Sequence, residues 1–275
     1  TTSLAPRRTA LAGWRGILAM LACIVPVFLG FILPALILLK FAARHFEDIL
    51  SPSYFNAMWH SFTLSLTASL VVVVLGLILA YAYRSQSGRK ISNLLRLASV
   101  GYAMPGTVLG IGVLIPLAYF DNSVDAFMRS SFGVSTGLLL SGTITAIIFA
   151  YAIRFLAISF GSLESGLEKV TPNLTFAART LGRTPLRTVL EIHLPILRPA
   201  LVTATLLVFV DCMKELPATL ILRPFDFETL ATLVYLLASL GQLEESAAPA
   251  LTIVAAGLIP IILLTRNLRI RESFR

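Results

Sequence analysis

Long apolar runs, separated by short polar and charged breaks, dominate this chain. Six of them have the length of about 20 residues that a helix needs to cross a bilayer. They fall at residues 17–41, 61–83, 97–120, 136–159, 200–222 and 249–265. Pro26 and Pro34 interrupt the first. Pro105, Gly106, Gly110, Gly112 and Pro116 punctuate the third, and Asp211, Lys214 and Glu215 lie inside the fifth. The pattern predicts an all-α membrane protein of about six transmembrane helices. Residues 17–265 form the membrane domain, 1–16 are an N-terminal segment or linker between halves, and 266–275 are a tail.

Composition agrees. Apolar residues make up 57% and charged residues 13% of the 275, whereas a soluble domain carries about 25% charged residues. That excludes a soluble enzyme domain, and disordered chains are charge-rich rather than apolar. The net charge of +8 reads as a basic membrane face, not as a nucleic-acid footprint. Cys23 and Cys212 both stand in apolar stretches, and His45, His60 and His193 are scattered, so neither a disulfide framework nor metal-ligand spacing is present. No cofactor is called for. The chain opens without Met and without the cleavage site of a signal peptide, which reads as a piece of a longer polypeptide.

Charge also predicts the orientation. With both termini cytoplasmic, the inside segments hold Arg7, Arg8, Arg15, Arg84, Arg89, Lys90, Arg96, Arg154, Lys169, Arg179, Arg183, Arg187, Arg198, Arg266, Arg269, Arg271 and Arg275, which is 17 of 22 basic residues. Lys40, Arg44, Arg129 and Arg223 fall outside. That asymmetry sets the topology. The outside loops collect Glu47, Asp48, Asp121, Asp125, Asp226, Glu228, Glu244 and Glu245.

The longest polar stretch is the inside loop 160–199. Thr171-Pro172 is a helix start, with a hydroxyl at the N-cap and Pro at the first helical position. Gly182 stands where a left-handed C-terminal residue belongs. Thr184-Pro185 repeats the start, and a second helix is expected to end near His193, ahead of Pro195 and Pro199. Leu174, Ala178 and Leu181 share one face, as do Leu186, Val189 and Leu190. Arg179, Arg183 and Arg187 recur every four residues. Two readings stay open on these grounds: a hairpin lying on anionic lipid, or an element that docks in a groove of a cytoplasmic partner.

The run Ala177-Ala178-Arg179-Thr180-Leu181-Gly182, followed nine residues later by Ile192-His193-Leu194-Pro195, resembles the signature loop of ABC importer permeases, Glu-Ala-Ala, three residues, Gly, nine residues, Ile, any residue, Leu-Pro. Phe176 departs from it, standing where the family usually has Glu. The resemblance implies a type I ABC importer permease fold. It implies that Ala177, Ala178, Arg179, Gly182, Arg183, Arg187, Ile192, Leu194 and Pro195 couple to an ATP-binding cassette subunit. It also implies a periplasmic or surface solute-binding protein and a second permease half or homodimer partner, all in a bacterial cytoplasmic membrane. No phosphate-binding Gly-rich loop occurs in the chain, so ATP hydrolysis would belong to the partner.

Asp211, Lys214 and Glu215 are spaced to share one helix face. They read either as a self-neutralising triad that pins packing or as carboxylates lining a cation path, with Pro217 breaking the helix beside them. The stretch from Asp211 to Pro224, with Phe227 to Thr232 and the Tyr102-Ala103-Met104-Pro105-Gly106 turn, is similar to the ferric iron permease branch, and to the C-terminal half of its fused two-half members. Fe(III), a hard ion, suits oxygen ligands. Thiamine, polyamine and phosphonate permeases share the architecture. An ion-coupled secondary transporter using Asp211 and Glu215 is the rival from another class, and a non-transporting scaffold is a third reading. Gly106 and Gly110 read as a helix-packing pair.

Overall fold

The computed structural model describes residues 13–45, 51–85 and 89–273. Arg7, Arg8, Glu47, Asp48, Arg275 and most of the N-terminal segment lie outside the described residues. Every regular element among them is helical. In chain order they are α1 (Trp14–Arg44), α2 (Pro52–Ser85), α3 (Arg89–Ala103), α4 (Gly106–Phe132), α5 (Ile144–Leu167), α6 (Pro172–Thr180), α7 (Pro185–Met213), α8 (Pro217–Leu222), α9 (Leu230–Ser239) and α10 (Ala247–Ser273). Among the described residues, five helices (α1, the Pro52–Arg84 part of α2, α4, α5 and α7) are long and apolar enough to cross a membrane. The apolar part of α10, Ala247–Ile262, is shorter.

α5 is the hub: α2, α3 and α7 pack on it. Its largest inward side chains, Tyr151, Ile147 and Leu163, are fully buried. Close approach depends on missing side chains. A Cβ on Gly101 of α3 would lie 2.2 Å from the Ile153 carbonyl oxygen of α5, well inside van der Waals contact. Small residues at such crossings let helices meet where lipid supplies no hydrophobic drive. α1 lies outside this core, with only Ala42 of it buried, and it touches the rest mainly through α10.

Several boundaries differ from the sequence expectation, each for a reason. The stretch expected at 97–120 is two helices, because the residue before Pro105 is pushed from the helical region; Pro105 itself has ψ 137°. α4 then continues to Phe132, so Asp121, Asp125 and Arg129 belong to a helix, not a loop. Asp121 is fully buried and accepts hydrogen bonds from Leu140 N, Ser141 N and Ser141 Oγ, while Asp125 accepts from Ser135 Oγ, Thr136 N and Gly137 N. These carboxylates hold down residues 133–143, which displaces the start of the fourth span from residue 136 to Ile144. The tail expected from 266 is helical to Ser273.

The second loop helix does not end near His193. It runs unbroken from Pro185 to Met213, through a π-helical turn at Val189–His193. Pro195 follows that turn by two residues, and Pro34 follows the π turn Phe28–Ile32 of α1 by the same interval. A wider turn before the ring relieves its clash with the preceding carbonyls and accommodates the missing donor.

Candidate functional site

The signature loop forms as its residues dictate. α6 begins at Pro172, though Thr171 makes no side-chain cap bond. It ends in a Schellman turn, with Gly182 N donating to Arg179 O and Arg183 N to Ala178 O. Gly182 has φ +79°, the left-handed conformation that costs other residues about 1–2 kcal/mol. Thr184 caps the next helix, its Oγ1 accepting from Arg187 N. Ala178 is buried; Ala177, Arg179, Gly182, Arg183, Arg187 and Pro195 are exposed, and Ile192 and Leu194 are half-buried. Phe176, Leu181 and Leu186 project into solvent at 61%, 82% and 68% exposure. The loop thus presents apolar side chains among arginines, and Glu191 is engaged by Arg183 at 3.1 Å.

Sequence reasoning missed what holds this loop to the bundle. His193, buried inside the π turn, bonds Thr175 Oγ1 of α6 through Nε2 and Tyr81 OH of α2 through Nδ1, each at 3.1 Å. The Tyr81 and His193 rings lie nearly parallel, 5.9 Å apart. Beside them the Arg84 guanidinium donates to the carbonyls of Leu167 and Val170 at the end of α5. One imidazole therefore ties together α6, α7 and α2.

The intramembrane charges do not form one triad. α7 stops at Met213, Lys214 to Leu216 break the helix, and α8 restarts at Pro217, whose ring has no N–H to continue the ladder. Lys214 Nζ lies 2.6 Å from Asp211 Oδ1. Glu215 turns away and pairs with Arg154 of α5, Nε to Oε2 at 3.2 Å. The Nε–H is poorly aimed, so this contact is an ion pair rather than a hydrogen bond. Arg154 Nη1 donates to Met104 O at the α3–α4 break. Glu215 Oε1 accepts from Ala218 N and would meet a Cβ on Gly106 at 2.6 Å. Thr219 Oγ1 donates to Glu215 O and accepts from Tyr151 OH. One buried cluster thus ties two helix breaks to α5.

Arg154 was expected at a cytoplasmic edge; it stands near the middle of α5, half-buried, with apolar residues on both sides. That flanking is the signal that could have placed it. Gly106 and Gly110 do pack, against Pro217 and Ile221 around α8, while Gly112 faces open space. Among the described residues, no three His, Cys, Asp or Glu side chains come together as a metal site. At the end of the bundle away from the loop, a cavity of about 650 Å³ opens among Asn56, His60, Arg223, Asp226 and Glu228. His60 stacks on Phe227 at 4.4 Å and bonds Glu228 O there.

No protein-family model matches the chain. Curated relatives do. The permease protein PhnV of a 2-aminoethylphosphonate transport system in Salmonella paratyphi A is 26% identical over 226 residues, 82% of this chain and 79% of that protein. Two ferric-transport permease proteins of Haemophilus influenzae, FbpB 1 and FbpB 2, are 30% and 29% identical over 262 and 216 residues, covering 91% and 78% of this chain. The chain spans only 41% and 39% of those two proteins. A bacterial ABC transporter involved in alginate import superposes with a TM-score of 0.70 at 15% identity, over 92% of this chain and 94% of its own. The curated relatives of this chain, and the structures that share its fold, are ABC importer permeases. Such permeases are components of transport systems rather than enzymes, and ATP hydrolysis resides in a separate subunit. An alginate ABC transporter solved with its alginate pentasaccharide-bound periplasmic protein has the same fold, with a TM-score of 0.66 at 15% identity over 90% of this chain and 92% of its own.

Proposed function

We propose that this chain is an ABC importer permease that moves ferric iron across a bacterial inner membrane, as one half of a two-half translocation unit. The observation that carries the iron reading is the match to the ferric-transport permease FbpB 1 over nine tenths of the chain. A second reading, a phosphonate, is favoured by a relative that matches over most of its own length as well. In both, α6 and the first turns of α7 dock on the ATP-binding cassette subunit. The exposed Phe176, Leu181 and Leu186 enter an apolar cleft, and Arg179 and Arg187 meet an acidic rim. A solute-binding protein delivers to the opposite end, where Arg223, Asp226 and Glu228 lie. Both termini and the 160–199 loop face the cytoplasm, supported by the excess of Lys and Arg on that side.

A reporter fused after Gly182 should be cytoplasmic and one fused near Asp226 external. The substrate is decided by reconstituting the chain with its ATPase and binding protein and measuring ATP-dependent uptake of radiolabelled iron and of 2-aminoethylphosphonate in parallel. Inverted reporters would refute the topology. Uptake of neither solute would refute both substrate readings.

A further inference from the structure

Lys214 presents a charge where a membrane helix ends. Its depth follows from its neighbour. Glu215 contacts Arg154, which lies about 15 Å along α5 from its start at Ile144 on the helical rise. The break at Lys214 to Leu216 is therefore level with the middle of a span. A lysine side chain extends only a few ångströms from its backbone and does not snorkel from mid-membrane to either interface. Yet the Lys214 side chain is 63% exposed. An ammonium so placed is stable against water or a polar partner, not against lipid tails. The Lys214 position therefore faces water or a polar partner, as the wall of a solute path does.

The carboxylates nearby are already engaged. Glu215 is 7% exposed, paired with Arg154 and bonded by Ala218 N. Asp211 is 17% exposed and occupied by Lys214 at 2.6 Å. Across Asp211, Lys214, Glu215 and Arg154 the charges cancel, and the member that reaches the path is the cation. A bare Fe(III) ion would meet an ammonium first, and among the described residues no three His, Cys, Asp or Glu side chains are grouped to replace its hydration.

We infer that Lys214 is a solute-contacting residue and that the solute passing it is an oxyanion: a phosphonate itself, or iron carried as an anionic oxygen-ligand complex. Asp211 positions the ammonium and keeps it from binding the anion too tightly to release. The inference rests on the importer reading and narrows its substrate class.

The test uses the chain reconstituted with its ATPase and binding protein. Lys214→Met should lower uptake of the transported solute at least tenfold, Lys214→Arg should keep it within about threefold, and ATPase co-purification should be unchanged in both. Phosphonate uptake that responds, with no iron uptake, identifies the free anion. Iron uptake that responds only when an oxyanion ligand is supplied identifies the complex. A solute-independent arm compares Lys214→Cys in a Cys23→Ser background with its Cys23→Ser parent, which keeps only the buried Cys212, and treats intact vesicles of both with the anionic thiol reagent 2-sulfonatoethyl methanethiosulfonate. Labelling at 214 is expected. Full uptake by Lys214→Met, iron uptake that needs no anion, or an unreactive Lys214→Cys would each overturn the inference. A wild-type complex that moves neither solute would refute the substrate reading, and the labelling would then decide whether Lys214 faces an aqueous path.

Discussion

Removing Arg154 and Glu215 together should cost less than the two single removals added up. In Arg154→Met, the Glu215 carboxylate stays 7% exposed and keeps one weak donor, Ala218 N at 3.4 Å. Breaking a buried pair from one side costs about 3–5 kcal/mol, because the stranded charge has neither water nor a counter-ion. Met104 O also loses its donor at 2.9 Å, but that carbonyl is at a helix break and can turn to water. Glu215→Gln leaves Arg154 its bond to Met104 O and an amide oxygen nearby, so a loss of about 1–3 kcal/mol is expected. In the double variant no buried ion remains, and Met fills much of the arginine stem's volume. It should recover at least about 2 kcal/mol relative to the sum of the single variants. The measurement is a double-mutant cycle in mixed micelles, following helicity by circular dichroism as the SDS mole fraction rises. A cost below about 1 kcal/mol for Arg154→Met, or strictly additive single variants, would refute a buried, coupled pair.

Gly182→Val should insert normally but lose ATPase co-purification, because a β-branched residue at φ +79° costs at least about 1–2 kcal/mol and misdirects α7; a pull-down from solubilised membranes checks it. His193→Leu should retain assembly yet uncouple ATP hydrolysis from uptake. It cuts both bonds that join α6 and α2 to α7, about 1 kcal/mol each, and is read as the ratio of phosphate released to solute imported. Asp121→Ala should loosen residues 133–143 by removing the acceptor for three donors, about 1.5–3 kcal/mol for each charged bond fully lost, visible as faster amide exchange at Leu140 and Ser141.

Helix type was legible because the apolar runs are long and regular. Helix ends were not, and the misses share a cause. Asp121 and Asp125 look like loop residues until the backbone N–H groups of Leu140, Ser141, Thr136 and Gly137 turn back onto them. Pro195 looks like a terminator until a π turn two residues earlier absorbs it. The signature loop was readable at Gly182, Thr184 and the two prolines, which act locally, but not at Thr171, whose hydroxyl makes no cap bond, nor at the end of the second helix. The pairing of Glu215 with Arg154 was not readable, because Lys214, at i+3 from Asp211, made the three charges look like one local set. Which of two lysine or arginine partners a carboxylate takes is decided by tertiary packing: here Gly106 opens the space that Glu215 enters.

The unbroken course of α7 has a mechanical consequence. Residues 185–213 form one rod of 29 residues, about 43 Å long at the helical rise. Its first turns belong to the exposed loop and its last residue adjoins Lys214. A tilt of only about 5° about His193, roughly 30 Å from Met213 at the helical rise, displaces the far end by about 2.6 Å, close to the length of a hydrogen bond. Pivoting on the His193 clamp near its short end, the rod would act as a lever, turning small closures at one end into openings at the other. Shortening the long arm by one turn, or softening it with a glycine pair between the clamp and Asp211, would reduce the stroke without altering a single contact at either tip.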